Sequence, residues 1–250
     1  MTELIYGRNA VRETLRAQRR SIKRMLVAAG AQAVGTLADS LALAESLNID
    51  VDHVDKKVLE QKLHGLNHQG VALECSEYPY SDIDEMLVHA KATQEMPFLL
   101  LLDHLQDPQN LGTLLRTAEI VGVHGVIIPG RRAAEITPAV VNASSGAVEH
   151  LKITVVTNLS QSIERLQKQG VWVVGIEDDA TAQRYDDTDL DMPLALVLGS
   201  EGSGMARLTR ERCDFLIKLP MLGHIQSLNV AVAGSVVLYH ALHSRRRVTK

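Results

Sequence analysis

The chain has 250 residues, 46% hydrophobic and 22% charged, with a formal net charge of −4. That apolar fraction fills a globular core, which excludes disorder as the main state, and no apolar run approaches the roughly 18 residues that a membrane helix needs. The acidic total and an aromatic content of 3% argue against a general nucleic-acid binder that stacks bases, so composition alone points to a small-molecule enzyme.

The charge is unevenly placed. Residues 1–30 carry seven basic side chains against two acidic ones, a local charge of +5, whereas residues 31–93 carry four Lys against eleven Asp and Glu. The spacing predicts a helix over Asn9–Arg20, with Asn9 as its cap and Val11 and Leu15 on one face. Arg8, Arg12, Arg16 and Arg19/Arg20 then follow helical spacing on another face. Two readings of that stripe are open, a solvated helix face or a surface that contacts phosphates. Next come a strand at Met25–Ala28, a helix over Val34–Leu47, a strand at Ile49/Val51, a helix near Asp55–Leu63 and a strand at Val71–Leu73. A turn-rich stretch, Glu77–Asp82, separates this small α/β module from the rest of the chain, and a helix is expected over Asp82–Thr93.

From Pro97 the pattern is regular. Strands are expected at Phe98–Leu102, Gly125–Ile128, Lys152–Val156, Val171–Gly175, Leu194–Leu198 and Phe215–Leu219. Helices at Leu111–Val121, Ser160–Gln169 and Leu228–Ser244 and a helical or irregular stretch at Pro138–Gly146 separate or follow them. Strands without apolar–polar alternation, separated by helices, imply a parallel sheet covered on both faces. The expected division is a domain over 1–76, a linker over 77–94 and a second domain over 95–250. Cys75 and Cys213 show neither CxxC nor Cys/His spacing, so no disulfide scaffold and no metal site is expected. With no basic stretch followed by an apolar one near residue 1, a cytoplasmic location is expected.

Three polar segments each follow an apolar strand, where α/β proteins place ligands. In the first, Asp103–Ala118, Asp107-Pro108 starts a turn, Asn110 is placed to cap a helix, and Arg116 lies two turns further on. In the second, Leu198-Gly199-Ser200-Glu201-Gly202-Ser203-Gly204, the order GxxGxG is neither a dinucleotide fingerprint nor a Walker loop. Its glycines permit positive φ and close backbone approach to a flat ligand. In the third, Leu219-Pro220-Met221 leads through Gly223 to Ser227-Leu228-Asn229. Ser227 is expected to cap the last helix, which puts Asn229 inside its first turn, where Asn is a poor helix former.

Together the three segments resemble motifs 1, 2 and 3 of the SpoU/TrmH group of SPOUT-class RNA ribose 2′-O-methyltransferases, with Leu219 in place of the usual Ile. Tyr6–Val11 and His68–Ala72 resemble the ends of the ribosomal-protein-like RNA-binding domain that precedes the catalytic domain in one branch. That branch includes enzymes that modify a guanosine ribose of 23S rRNA in the peptidyl-transferase-centre region. The resemblance implies an α/β fold with a trefoil-knotted parallel sheet, S-adenosylmethionine as methyl donor without a metal, and a homodimer whose active site draws on both chains. It further implies that Leu198, Gly199, Gly202, Gly204, Leu219, Met221 and Leu228 hold the donor, and that Asn110, Glu201, Ser227 and Asn229 position the ribose and Arg116. The family gives Arg116 the role of activating the 2′-hydroxyl. A guanidinium with a pKa above about 12 does not give up its proton, so stabilisation of the developing alkoxide is the expected role. In that setting Arg8, Arg12, Arg16 and Arg19 become expected phosphate contacts, with Arg131 and Arg132 a second group. Ribose methylation of tRNA or of another rRNA nucleotide, and a catalytically silent ribosome-assembly protein, are the alternatives.

Overall fold

The computed structural model describes residues 2–130, 135–225 and 227–246, so Arg131 and Arg132 lie outside the described residues. The first elements are β1 (Thr2–Tyr6), α1 (Arg8–Ala17), β2 (Ile22–Ala28), α2 (Thr36–Ser46), β3 (Val51–Val54), α3 (Lys56–Lys62) and β4 (Val71–Ser76). After them come α4 (Ile83–Ala92), β5 (Phe98–Leu102), α5 (Pro108–Ile120), β6 (Gly125–Pro129), α6 (Pro138–Ala143) and a 3-10 turn at Ala147–His150. The chain continues with β7 (Ile153–Val156), α7 (Leu159–Lys168), β8 (Trp172–Ile176), the two-residue β9 (Gln183–Arg184) and β10 (Leu194–Leu198). It closes with α8 (Arg207–Arg212), β11 (Phe215–Lys218) and α9 (Val230–Arg246). Contacts divide these elements into two compact units, one of residues up to Pro79 with Ile136–His150, the other of Tyr80–Glu135 with the residues from Leu151 onward.

The first unit is built on a four-stranded sheet in the order β1-β4-β2-β3, with β1 and β2 antiparallel to β4 and β3 parallel to β2. β1 is an element that the sequence reading does not contain. α1 buries Ala10, Val11, Thr14 and Leu15, the 3–4 spacing of an amphipathic helix. It stops at Ala17, because Gln18 turns left-handed at φ 50° and its N–H closes onto Thr14 O. Arg19 and Arg20 therefore leave the helix and are not part of one stripe with Arg8, Arg12 and Arg16. Arg19 donates to Tyr78 Oη at 3.1 Å and to Pro79 O at 3.0 Å. Arg20 is buried, with its Nε 3.0 Å from both carboxylate oxygens of Glu149 and a second bond to Glu3. A buried cation is tolerated only with such partners, and stranding it costs about 3–5 kcal/mol. Glu149 belongs to the segment 136–150, which the sequence reading places in the second domain. This segment also ties to β1 through Asn142 Nδ2 and Tyr6 O at 3.0 Å.

The second unit is a seven-stranded sheet in the order β7-β6-β5-β10-β8-β11-β9, with every pairing parallel. All five residues of β5, of β6 and of β10 are buried, as the unbroken apolar runs require. Leu99, Leu101, Ala195 and Val197 point to one face and pack with Ile83 and Met86 of α4 and Ile163 and Leu166 of α7. α4, which falls in the stretch read as a linker, is thus part of this core. On the opposite face α9 lies so close that a Cβ on Gly234 would sit 2.6 Å from Leu198 and 2.7 Å from Leu114 of α5. Burying such side chains gives about 1.5–3 kcal/mol each relative to exposure, which stabilises the sheet from which the loops leave.

Candidate active site

Parallel pairing brings four chain segments to one edge. β10 runs between β5 and β8 with Leu198 level with both Leu102 and Ile176, and β11 sets Ile217 beside Ile176. The loops after Leu102, Ile176, Leu198 and Lys218 all leave at the C-terminal ends of the strands, where open α/β sheets bind ligands.

The loop after β10 folds back on itself. Ser200 N–H donates to Gly204 O at 3.0 Å and Gly204 N–H returns to Ser200 O at 3.1 Å. A Cβ on Gly199 would fall 2.1 Å from the Gly204 carbonyl carbon, and Gly204 sits at φ +67°. Only glycine fits the first place, and the second is a left-handed position that favours glycine. Two carboxylates pin the exit of this loop, Glu177 Oε2 accepting from Met205 N–H at 3.0 Å and Asp103 Oδ2 from Ala206 N–H at 2.7 Å.

Two helix starts then aim side chains at Glu201. Asp107 caps α5 by accepting the Asn110 N–H at 2.9 Å, with Pro108 in the first turn where a missing N–H costs nothing. Asn110 is therefore not the cap, and its amide is released to donate to Glu201 Oε1 at 2.8 Å. α9 begins at Val230, so Asn229 is its cap and not an interior residue, and Ser227 lies outside the helix. Asn229 Oδ1 accepts the N–H groups of Ala231 (3.0 Å) and Val232 (3.2 Å), the expected work of an Asn cap. Its Nδ2 donates to Glu201 Oε1 and to Asn110 Oδ1, both at 2.9 Å. Asn110, Glu201 and Asn229 thus form one closed triangle drawn from all three sequence segments. None of its bonds reaches Arg116, whose side chain is exposed on α5.

A cavity of about 520 Å³ opens beside this triangle, within the size range of sites for small organic ligands. Leu198, Gly199, Gly202, Gly204, Leu219, Met221 and Leu228 all line it, together with Glu201, Ser227 and Asn229. Asn110 and Arg116 are not among its lining residues. The charged part of its remaining wall was missed by the sequence reading: Glu177 and Asp178 after β8, and Lys218 at the end of β11. The signal was present, an acidic pair directly after an apolar strand. The cavity combines apolar walls with carboxylates and backbone groups, which suits a flat base, a ribose and a cationic centre in one molecule. Among the described residues no group of three or more His, Cys, Asp or Glu could hold a metal ion, and no helix is long and apolar enough to cross a membrane.

Comparison with known proteins gives the family and the fold. Residues 97–239 match the SpoU rRNA Methylase family, and residues 4–81 match the family described as RNA 2′-O ribose methyltransferase substrate binding. YacO of Bacillus subtilis (strain 168), assigned to the TrmH family of tRNA/rRNA methyltransferases, is 43% identical over 98% of this chain and 97% of its own. The fold matches the SpoU methyltransferase AviRb from Streptomyces viridochromogenes, crystallised with AdoMet, at TM-score 0.81 and 22% identity over 100% of this chain and 92% of that one. It matches an AdoMet-bound rRNA methyltransferase from Sinorhizobium meliloti at TM-score 0.78 and 25% identity, over 99% and 88% of the two chains. The chain belongs to the SpoU rRNA methylase family.

Proposed function

We propose that this protein transfers a methyl group from S-adenosylmethionine to the 2′-oxygen of a guanosine ribose in 23S rRNA. The observation that carries the reading is the Asn110–Glu201–Asn229 triangle at the mouth of a cavity fit for the donor. Leu198, Leu219 and Leu228 would pack the adenine and methionine parts, and Gly199, Gly202, Gly204 and Met221 would contribute backbone and close approach. The carboxylates of Glu177, Asp178 and Glu201 favour a cation there. S-adenosylmethionine, when bound, supplies a methyl group activated by a sulfonium charge.

The chain's own task is the acceptor. A ribose hydroxyl is a weak nucleophile at neutral pH, so the charge that develops on its oxygen needs a donor placed to meet it. Arg116 is assigned that task, together with a grip on the neighbouring phosphate, while the triangle and Ser227 orient the ribose. Arg116 is exposed on α5, which with α9 leaves Ile120, Val232 and Tyr239 about half exposed, and Thr113, Val232 and Tyr239 line a shallow cavity. A second copy of the chain covering that face fits the homodimer in which both chains complete each active site.

The first unit is assigned to RNA docking, which favours an rRNA target. Arg8, Arg12 and Arg16 supply phosphate contacts, although Arg12 and Arg16 share Glu13 and Arg12 also faces Asp39. Arg19, turned to Tyr78 and Pro79, contributes less than the stripe assigns to it. Transfer of tritiated methyl to naked 23S rRNA, 16S rRNA and tRNA tests the reading. Label in 23S rRNA supports it, label in tRNA replaces it with the tRNA reading, and no label favours a silent RNA binder.

A further inference from the structure

A second cleft, of about 590 Å³, shares Ser200, Glu201, Ser203 and Gly204 with the donor cavity. Its other wall is the segment after β5, including His104 and Asp107, which the donor cavity does not touch. The β10 loop is thus a partition with a space on either side.

The chemistry of the second space is specific. One residue, Asn110, ties down one oxygen of each of two carboxylates: its backbone N–H binds Asp107 Oδ2 at 2.9 Å and its amide binds Glu201 Oε1 at 2.8 Å. Asp107 Oδ1 and Glu201 Oε2 accept no hydrogen bond from the described residues and remain available as acceptors. A ring is fixed in the same wall. His104 Nδ1 bonds Asp103 Oδ1 at 2.5 Å, and Asp103 is 1% exposed with its second oxygen held by Ala206 N–H. His104 adopts φ +61°, a left-handed conformation that a residue with a side chain adopts rarely and that marks many functional positions. No Phe, Tyr or Trp lines this cleft, so His104 is its planar surface.

We infer that this cleft seats the base of the acceptor nucleotide and selects guanine, with the His104 ring stacked on the base and the open oxygens of Asp107 and Glu201 accepting its N1–H and N2–H donors. Carboxylates only accept at neutral pH. Guanine alone among the four RNA bases offers two adjacent donors on its pairing edge; adenine and cytosine set an acceptor beside the amino group, and uracil has a single donor between two acceptors. Unpaired bases are read in this way, by edge and by stacking. The partition then orders the substrates, with the base on one side, the methyl donor on the other and the ribose at the shared lip beside Glu201. This inference rests on the methyl-transfer reading and names the residues that choose the base.

The test uses the full-length protein and an RNA fragment that spans the nucleotide labelled in the transfer assay, made with G, A or inosine at that position. Wild type should prefer G over A by tenfold or more in kcat/KM, with inosine, which lacks the N2 amino group, between them. Asp107→Asn keeps an oxygen to cap α5 but replaces the open acceptor with a donor. It should raise KM for the G fragment and shrink the gap between G and A to within about threefold, with S-adenosylmethionine affinity unchanged. His104→Gly suits φ +61°, so it should fold and lose about tenfold in kcat/KM with loss of the stacking surface. A labelled nucleotide other than G, equal rates on G and A, an Asp107→Asn protein with the native gap, or native kcat/KM in His104→Gly would each overturn the inference while leaving ribose methyl transfer intact, and the first would also remove guanosine from the proposed function. A wild type that labels no RNA would overturn that reading and this inference with it.

Discussion

Asn229 performs two tasks with two ends of one amide, and substitutions separate them. Its oxygen caps α9 through Ala231 and Val232, and its nitrogen ties Glu201 to Asn110. Asn229→Ala removes both. Loss of an Asn cap costs about 1 kcal/mol, within a range of about 0.5–2 kcal/mol. Two exposed side-chain bonds add about 0.5–1 kcal/mol after solvent competition. For a chain of this size the resulting loss of about 1.5–2 kcal/mol lowers Tm by about 3–8 °C. Asn229→Asp keeps an oxygen for the cap and gains about 0.3–1 kcal/mol from a negative charge at the start of α9, which offsets most of its repulsion by Glu201, so its Tm should fall by about half as much as that of Asn229→Ala. It nonetheless sets a carboxylate where a donor faced Glu201. Two like charges 4 Å apart repel by about 1 kcal/mol in bulk water and about 4 kcal/mol at an effective dielectric near 20. The site is exposed, so the lower end applies, and the lost donor adds to it. Methyl transfer should fall by about tenfold or more in both variants. Differential scanning fluorimetry beside the tritium transfer assay reads the two effects separately. An Asp variant as unstable as the Ala variant, or one with native activity, would refute the division of labour.

Arg116→Lys keeps a positive charge but not the planar fork, and is expected to lower kcat by tenfold or more with unchanged donor affinity; a near-native rate would exclude a specific guanidinium role. Replacing Arg12 and Arg16 together by Ala should weaken RNA binding and reduce the slope of log K against log salt by up to about two, with donor affinity untouched; an unchanged slope would remove α1 from the docking surface. His124 should make stability fall in mild acid. Burial holds its pKa below the usual 6.5, the nearby His89 and Arg245 adding to the effect against the opposing pull of Glu95. Its Nδ1 accepts from Phe98 N–H at 3.1 Å, so the neutral ring is the form that supports the start of β5. The unfolded chain takes up the proton first, so this stability is present above about pH 6.5 and is lost as the pH falls from there toward the lower folded value. Tm measured between pH 7.5 and 5 should drop less in His124→Asn than in wild type, and equal slopes would show that another group titrates.

The strands that carry the site were the most legible part of the chain. β10 has the bounds read from the sequence, as has β5, because five consecutive apolar residues between polar turns leave little choice. The three motif segments were legible as a set, and the triangle shows why, since each contributes one corner. What was lost lies in the geometry of helix ends. Asp107 and Asn110 can both cap, as can Ser227 and Asn229, and in each case the register of the first turn decides between them. Pro108 was a usable signal for Asp107, since Pro favours the first helical position. The end of α1 had none: Gln18 takes the left-handed position without a glycine, so Arg19 and Arg20 looked like a continuation of the stripe. β1 and the Glu149 segment were illegible for another reason. Their placement depends on partners far along the chain, β4 in one case and Arg20 in the other. A buried ion pair across 129 positions leaves no local pattern.

The central claim, methylation of a ribose oxygen, has a direct chemical readout. Alkaline cleavage of RNA requires a free 2′-hydroxyl, so a 2′-O-methylated nucleotide resists it and leaves a dinucleotide. 23S rRNA labelled by the protein with tritiated S-adenosylmethionine should, after alkaline hydrolysis, carry its tritium in alkali-stable dinucleotides. Tritium in mononucleotides would place the methyl group on a base and contradict the account.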